Sequence, residues 1–187
     1  MMDSFQALKV ISQHRGDAIV VTTMTANPEW SQLSKNPDLD MPLIGAMGKA
    51  SSLGLGLALA LPDKKVIVLD GDGAILMNLN SLTTAASKAP PNLVHIIWDN
   101  QQYQITGGQP THTAEQADLE AIARGAGFKQ ALTVDTFAAF KEALSQILSQ
   151  PGPWILVAKT DSSRALGRPP KSPVHIKNQF MEALRGA

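Results

Sequence analysis

The sequence contains no cysteine, which rules out disulfides, thiolate zinc sites and cysteine-held iron–sulfur clusters and agrees with a reducing compartment. It carries no net charge either. Sixteen Lys and Arg balance sixteen Asp and Glu, so no field of one sign draws the chain to nucleic acid or to an anionic membrane surface. Long apolar runs are missing. The most apolar stretch, Leu53 to Leu61, falls far short of the ~20 residues that cross a bilayer and reads as a buried helix. Met1 to Arg15 mixes charged with apolar residues and has no signal-peptide pattern. There is no solenoid repeat and no low-complexity tract. These absences point to a cytoplasmic protein with neither nucleic acid nor membrane among its partners.

What is present is enough apolar material for a core, and a regular alternation of elements. With 187 residues, 44% hydrophobic and 17% charged, residues 1–187 suit a single domain. Ser4–His14 places Phe5, Leu8 and Ile11 at helical spacing, and Ala18–Thr23 is a β-branched run. Helices are then expected over Gly45–Leu61, Asn78–Lys88, Glu115–Gly125 and Thr136–Gln150. Strands are expected over Lys65–Asp70, Asn92–Asp99, Lys129–Val134 and Pro153–Lys159. From Asp161 the chain is rich in Pro, Gly and Ser as far as Pro173, and Val174–Leu184 reads as a short amphipathic helix. Residues 161–187 are expected to form a tail that wraps the domain. Such alternation predicts an α/β fold of three layers, α/β/α, around a mostly parallel sheet, because parallel neighbours need crossover helices that cover both faces.

Two of these strands end in polar loops, Asp70-Gly71-Asp72-Gly73 and Asp99-Asn100-Gln101-Gln102. Ligands of doubly wound sheets sit beyond the carboxyl ends of the strands, so both loops should face one crevice. An Asp and an Asn amide on adjacent loops can give Mg²⁺ the oxygen ligands it prefers, with phosphate oxygens completing the shell. Gly71 and Gly73 keep side chains away where backbone must approach a phosphate, and the N–H groups of the helix that follows, beginning at Ala74, favour an anion. A Gly-Asp-Gly by itself is an ordinary turn. Its weight comes from the second loop, since the 25 residues between Gly73 and Asp99 accommodate one helix and one strand.

This pattern resembles the thiamine-diphosphate (ThDP)-binding fold, and in particular the small decarboxylases of sulfopyruvate and phosphonopyruvate. The stretches GAMGKASSLGLGLALALP, GDGAILMNLNSLTTAASKAPPNLVHIIWDN, TGGQPT and LGRPPKSPVHIKNQFM carry the likeness. The resemblance implies Mg²⁺ bound by Asp72, Asn100 and the main-chain carbonyl of Gln102; Asp99-Asn100 stands where an Asn-Asn pair is more usual. It implies that Met47 props the cofactor in a bent conformation, that the Gly45 carbonyl accepts from the 4′-amino group, and that Ala46 lies beside them. Thr23 and Thr25 follow the first strand, where the family places hydroxyls or glycine against the diphosphate, though a strand end exposing threonine reads equally well. Tyr103, Gln104 and Ile105 are expected to line the cofactor. A related pattern has Arg and Glu where this chain has Asn27 and Pro28, which weakens a case for a doubly anionic substrate.

The family carries a glutamate that bonds N1′ of the pyrimidine on a separate pyrimidine-binding domain. The resemblance therefore implies a separate α-type subunit that supplies it, a dimer or hetero-oligomer, and a small 2-oxo acid as substrate. A non-catalytic or regulatory protein of the same fold, or a subunit of another ThDP enzyme such as a carboligase, stays open. Among the histidines, His95 in an apolar strand reads as a hydrogen-bonded core residue. His112, near the presumed site mouth, is a secondary candidate for proton transfer beside a solvated-loop reading. Gly54 and Gly56 do not make a dinucleotide loop, because Leu59 occupies the third glycine position and the segment precedes a strand.

Overall fold

In the computed structural model, residues 1–161 and 172–185 are described. Six strands, β1 (Ile19–Thr22), β2 (Asp40–Pro42), β3 (Val66–Gly71), β4 (Leu93–Asp99), β7 (Gln130–Val134) and β8 (Trp154–Lys159), form one sheet in the order β2-β1-β3-β4-β8-β7. Every pairing in it is parallel. A second, two-stranded sheet is an antiparallel hairpin of β5 (Gln102–Tyr103) and β6 (Gln109–Pro110). Helices α1 (Ser4–His14), α2 (Asn27–Leu33), α3 (Ala50–Ala60), α4 (Asp72–Leu76), α5 (Asn80–Lys88), α6 (Leu119–Gly125), α7 (Phe137–Ser149) and α8 (Pro173–Arg185) surround the large sheet. No helix of the described residues is long and apolar enough to cross a membrane.

The inner strands β1, β3, β4 and β8 are buried on both faces, and their alternate residues divide the interior into two cores. Ile67 and Leu69 of β3 join Val94 and Ile96 of β4 in a layer closed by Leu8 and Ile11 of α1, Trp30 of α2 and Phe140 of α7. Val66 and Val68 face the other way, with Leu93 and Ile97, toward α3, α5, α6 and Phe180 of α8. Side-chain caps fix the starts of α1, α6 and α7. Asp3 accepts from the N–H of Gln6 at 3.1 Å, Asp118 from Ala121 at 3.0 Å and Thr136 from Ala139 at 3.3 Å. Arg15 is buried where α1 ends and ties three segments together, through Asp40 Oδ1 at 2.5 Å, Ser34 Oγ at 3.0 Å and the carbonyl of Ala18.

The expected fold class holds, with corrections at element ends. The helix expected from Gly45 begins at Ala50, because Gly45 (φ +72°) and Gly48 (φ +77°) hold left-handed conformations that a helix cannot include. The helix expected from Glu115 begins at Leu119, since Asp118 is its cap and His112–Ala114 forms a separate 3₁₀ turn. Helix α5 starts at Asn80. Short elements were not foreseen: α2, β2 and the hairpin. In the proposed tail, 162–171 lie outside the described residues, while Gln179 Nε2 of α8 donates to Asp38 Oδ1 at 2.5 Å and Phe180 enters the core.

Two glycines of α3 separate packing from propensity. A Cβ on Gly54 would stand 2.2 Å from Cγ2 of Val68 in the buried strand β3, whereas one on Gly56 would meet nothing within 4 Å. Alanine gains about 1 kcal/mol over glycine in a helix, but overpacking costs about 1–3 kcal/mol. Gly56→Ala should therefore stabilise the chain by about 0.5–1 kcal/mol, while Gly54→Ala should destabilise it. Urea unfolding of both variants checks this; equal shifts of one sign would show that Val68 gives way.

Candidate functional site

Strand β3 ends at Gly71 and passes directly into α4, whose first residue is Asp72. The Gly-Asp-Gly segment is thus a strand-to-helix junction, and the helix starts two residues earlier than Ala74. The N–H groups of Asp72, Gly73 and Ala74 belong to a first helical turn and have no intrahelical carbonyl. The chain leaves β1 outward to β2 and returns to β3 on the opposite side of β1, so the strand order reverses between β1 and β3. Open α/β sheets bind ligands at such a reversal.

A cleft of ≈ 490 Å³, open to solvent, lies there. Thr23, Met24 and Thr25 contribute from the end of β1, and Gly71, Asp72, Gly73 and Ala74 from the β3–α4 junction. Leu43, Ala46 and Met47 come from the segment before α3, and Gln102, Tyr103, Gln104, Ile105 and Thr106 from the hairpin. Gly73 is needed for the hairpin to close over α4, because a Cβ on it would lie 2.6 Å from two carbons of the Tyr103 ring.

Three expected residues are placed otherwise. Gly45 is exposed and outside the lining. Asn100 is buried, but its side chain is folded into its own loop: Oδ1 accepts from the N–H of Gln102 at 3.1 Å and Nδ2 donates to Gln104 Oε1 at 3.0 Å. It borders a smaller cavity with Thr25, Glu29 and Trp98. His112 does not reach the cleft. It is exposed at the start of the 3₁₀ turn, between the buried Thr111 and Thr113. His95 is the core residue expected of it, with Nε2 at 3.2 Å from the buried Oδ2 of Asp70.

Sequence reasoning passed over Thr111, Thr113 and Lys159. Thr111 Oγ1 donates to Asp72 Oδ2 at 2.6 Å, and Thr113 Oγ1 to Asp99 Oδ1 at 2.7 Å. The two hydroxyl oxygens are 2.9 Å apart, and Thr113 Oγ1 lies 3.2 Å from Asp72 Oδ2. Lys159 Nζ pairs with the other oxygen of Asp99.

Asp72 is 2% exposed, and among the described residues it has no basic partner. Burial pushes its carboxyl above the usual range, opposed by the Thr111 hydroxyl and reinforced by the charge of Asp99. Each hydroxyl has one hydrogen. With these spent on Asp72 and Asp99, the 2.9 Å and 3.2 Å approaches are oxygen against oxygen. This acceptor surplus suits a hard cation at Asp72. Among the described residues no three His, Asp or Glu side chains could hold a metal by themselves, so such a cation would draw on amide, carbonyl and ligand oxygens.

Residues 13–158 match a family model described as thiamine pyrophosphate enzyme, C-terminal TPP binding domain. The chain is 37% identical over 180 residues to the sulfopyruvate decarboxylase subunit beta of Methanocaldococcus jannaschii, covering 95% of each. It is 39% identical over 167 residues to the phosphonopyruvate decarboxylase of Streptomyces hygroscopicus, covering 88% of this chain but 41% of that one. Among solved structures it is similar to benzoylformate decarboxylase from Polynucleobacter necessarius, with TM-score 0.70, 19% identity, and coverage of 89% of this chain and 34% of that one. A likeness at that identity speaks for the fold alone.

The closeness of Gly73 to Tyr103 is testable by a double-mutant cycle. Gly73→Ala should destabilise the wild-type chain and be nearly neutral in a Tyr103→Ala background, a coupling of about 0.5–3 kcal/mol. An equal cost in both backgrounds, measured by denaturant unfolding, would show that the ring is not what Gly73 accommodates.

Proposed function

The chain belongs to the thiamine pyrophosphate enzymes, as their C-terminal TPP-binding domain, and on that premise we propose that it is the cofactor-holding subunit of a two-subunit 2-oxo acid decarboxylase of the sulfopyruvate and phosphonopyruvate class. The observation that carries this reading is the buried, acceptor-rich carboxylate of Asp72 on a cleft at the reversal of strand order. Similarity over 95% of a protein called subunit beta, beside 41% of a phosphonopyruvate decarboxylase chain, supports a division of the activity between two chains. The substrate class rests on those relatives.

Bound ThDP supplies the electron sink that accepts the pair released with CO₂. The residues of this chain hold and shape it. Asp72 and the main-chain carbonyl of Gln102 are the metal ligands the cleft favours. The Oδ1 of Asn100 retains a second lone pair beside its bond to Gln102, so it joins them with a modest turn of its loop. The N–H group of Ala74 and the hydroxyls of Thr23 and Thr25, on the cleft, would hold the diphosphate, which Gly73 lets approach the backbone. Met47 and Ala46, which line the cleft, would contact the bound cofactor, with Met47 supporting its bent conformation. Leu43, Met47 and Ile105 give the cleft apolar walls that would limit water around the bound cofactor. Tyr103 and Gln104 close the hairpin side. The pyrimidine-activating glutamate comes from the partner subunit.

Asp72→Asn separates binding from stability. It removes a charge that burial and Asp99 both disfavour, so the cofactor-free chain should be at least as stable as wild type while Mg²⁺-dependent ThDP affinity falls at least about tenfold. Because the folded-state pKa of Asp72 is raised, the folded form binds the proton more tightly than the unfolded chain. Its contribution to cofactor-free stability therefore grows as pH falls through that pKa toward the ordinary carboxylate value. Metal-dependent binding weakens over the same interval, since the metal needs the carboxylate. Calorimetry and urea unfolding across pH 4–7 check both trends, and unchanged cofactor affinity in Asp72→Asn would remove the metal assignment.

The division between chains has its own test. The purified chain, with saturating Mg²⁺ and ThDP, should show no aldehyde production from a panel of 2-oxo acids and should gain it with a pyrimidine-binding subunit. Turnover by the chain alone, with partner excluded by mass spectrometry, would end the two-subunit reading.

A further inference from the structure

We propose that Thr111 and Thr113 are positioning residues that fix which oxygen of Asp72 meets the metal, and that Asp99, despite standing beside Asn100, is a counter-charge and not a ligand. The inference rests on the reading of Asp72 as a metal-binding carboxylate. Both threonines are nearly buried, at 2% and 6% exposure, and they lie just after the hairpin, Thr111 at the start of the 3₁₀ turn His112–Ala114 and Thr113 within it. The N–H of Thr111 donates to the carbonyl of Gln101 at 3.0 Å, and Gln101 Nε2 donates to the carbonyl of Thr113 at 3.2 Å. This return segment is thereby tied to the Asp99–Gln102 loop before its hydroxyls reach Asp72.

Both hydroxyls lie against the same oxygen of Asp72, Oδ2: Thr111 donates to it, and the Thr113 oxygen, its hydrogen directed to Asp99, stands 3.2 Å from it. That oxygen is occupied by side chains, and with the Gly73 N–H also bonded to the carboxylate its plane is set, Oδ1 being the oxygen that no side chain among the described residues engages and so the metal-facing atom. Asp99 has the opposite pattern. Its Oδ1 takes Thr113 Oγ1 at 2.7 Å and the N–H of Gln101 at 3.2 Å, and its Oδ2 pairs with Lys159. Both of its oxygens are engaged at 1% exposure, so it offsets Lys159 and orients Thr113. The strap joins the two strand ends through hydroxyls, over 39 and 41 residues of sequence.

Packing and hydrogen bonding can be told apart at Thr111, because its Cγ2 also lies over Gly73, 3.4 Å from where a Cβ would stand. Thr111→Val keeps the shape and loses the hydroxyl; Thr111→Ser keeps the hydroxyl and loses the methyl. Mn²⁺ is titrated into each full-length chain with ThDP and the partner subunit present, free Mn²⁺ is read by electron paramagnetic resonance, and urea unfolding is measured in parallel. Thr111→Val should raise the Mn²⁺ Kd about 10–100-fold, with Thr111→Ser within about twofold of wild type. Thr113→Val should follow Thr111→Val, and if it does not fold, the Thr111 pair decides. Wild-type affinity in Thr111→Val, or an equal loss in Thr111→Ser, overturns the inference and leaves the threonines as packing. Failure of the wild-type chain to take up Mn²⁺ overturns the parent reading, and this one with it.

Discussion

Parallel pairing of β1, β3 and β4 is the constraint from which the rest of the molecule follows. In a parallel ladder all carboxyl ends emerge at one edge, so Thr23, Gly71 and Asn100 are brought near one another by register alone, with Thr22 beside Leu69 and Gly71 beside Trp98. Polar chemistry can then collect at that edge while both faces stay apolar and covered. The reversal of strand order opens the gap, because the connections leaving β1 and β3 depart in opposite directions.

Within that gap a cost is concentrated at one group. Asp72 is buried beside a second carboxylate and faces hydroxyls that cannot satisfy every approach. Such an arrangement weakens the fold where it stands and is tolerated because the surrounding sheet is over-determined. Asp70 and His95 beneath it, and Arg15 with Asp40 at the far side of β1, show the contrasting use of buried charge, in which partners are matched and the groups hold strands and helices in place.

The layers, the fold class and most of the cleft were legible in the sequence, and the reasons are local. Runs such as Val66–Leu69, apolar throughout, and Leu93–Trp98, apolar but for His95, are what strands buried on both sides require. Two glycines around an aspartate after one such run marked the junction. What escaped depended on pairing across distance. Strand β2 is three residues held by β1 and closed over by α8, so its own sequence, Asp-Met-Pro, has no strand character. The start of α3 was displaced by left-handed glycines whose φ no periodicity reveals. Thr111 and Thr113 were invisible because a hydroxyl acquires meaning only from the carboxylate it meets, some forty residues away. Asn100 was legible as a residue but not as a conformation.

The contact between α3 and β3 reaches beyond this one chain. Gly54 sits over Val68 with no room for a methyl group, and Val68 is held on a strand that cannot retreat without moving its neighbours on both sides. Positions 54 and 68 therefore share a single volume. Descendants of this sequence can enlarge one only as they shrink the other, while position 56, a half-turn away and unobstructed, drifts without constraint. Across an alignment the pair should vary together, and that correlation would record helix-to-sheet spacing directly, in a part of the protein remote from any chemistry.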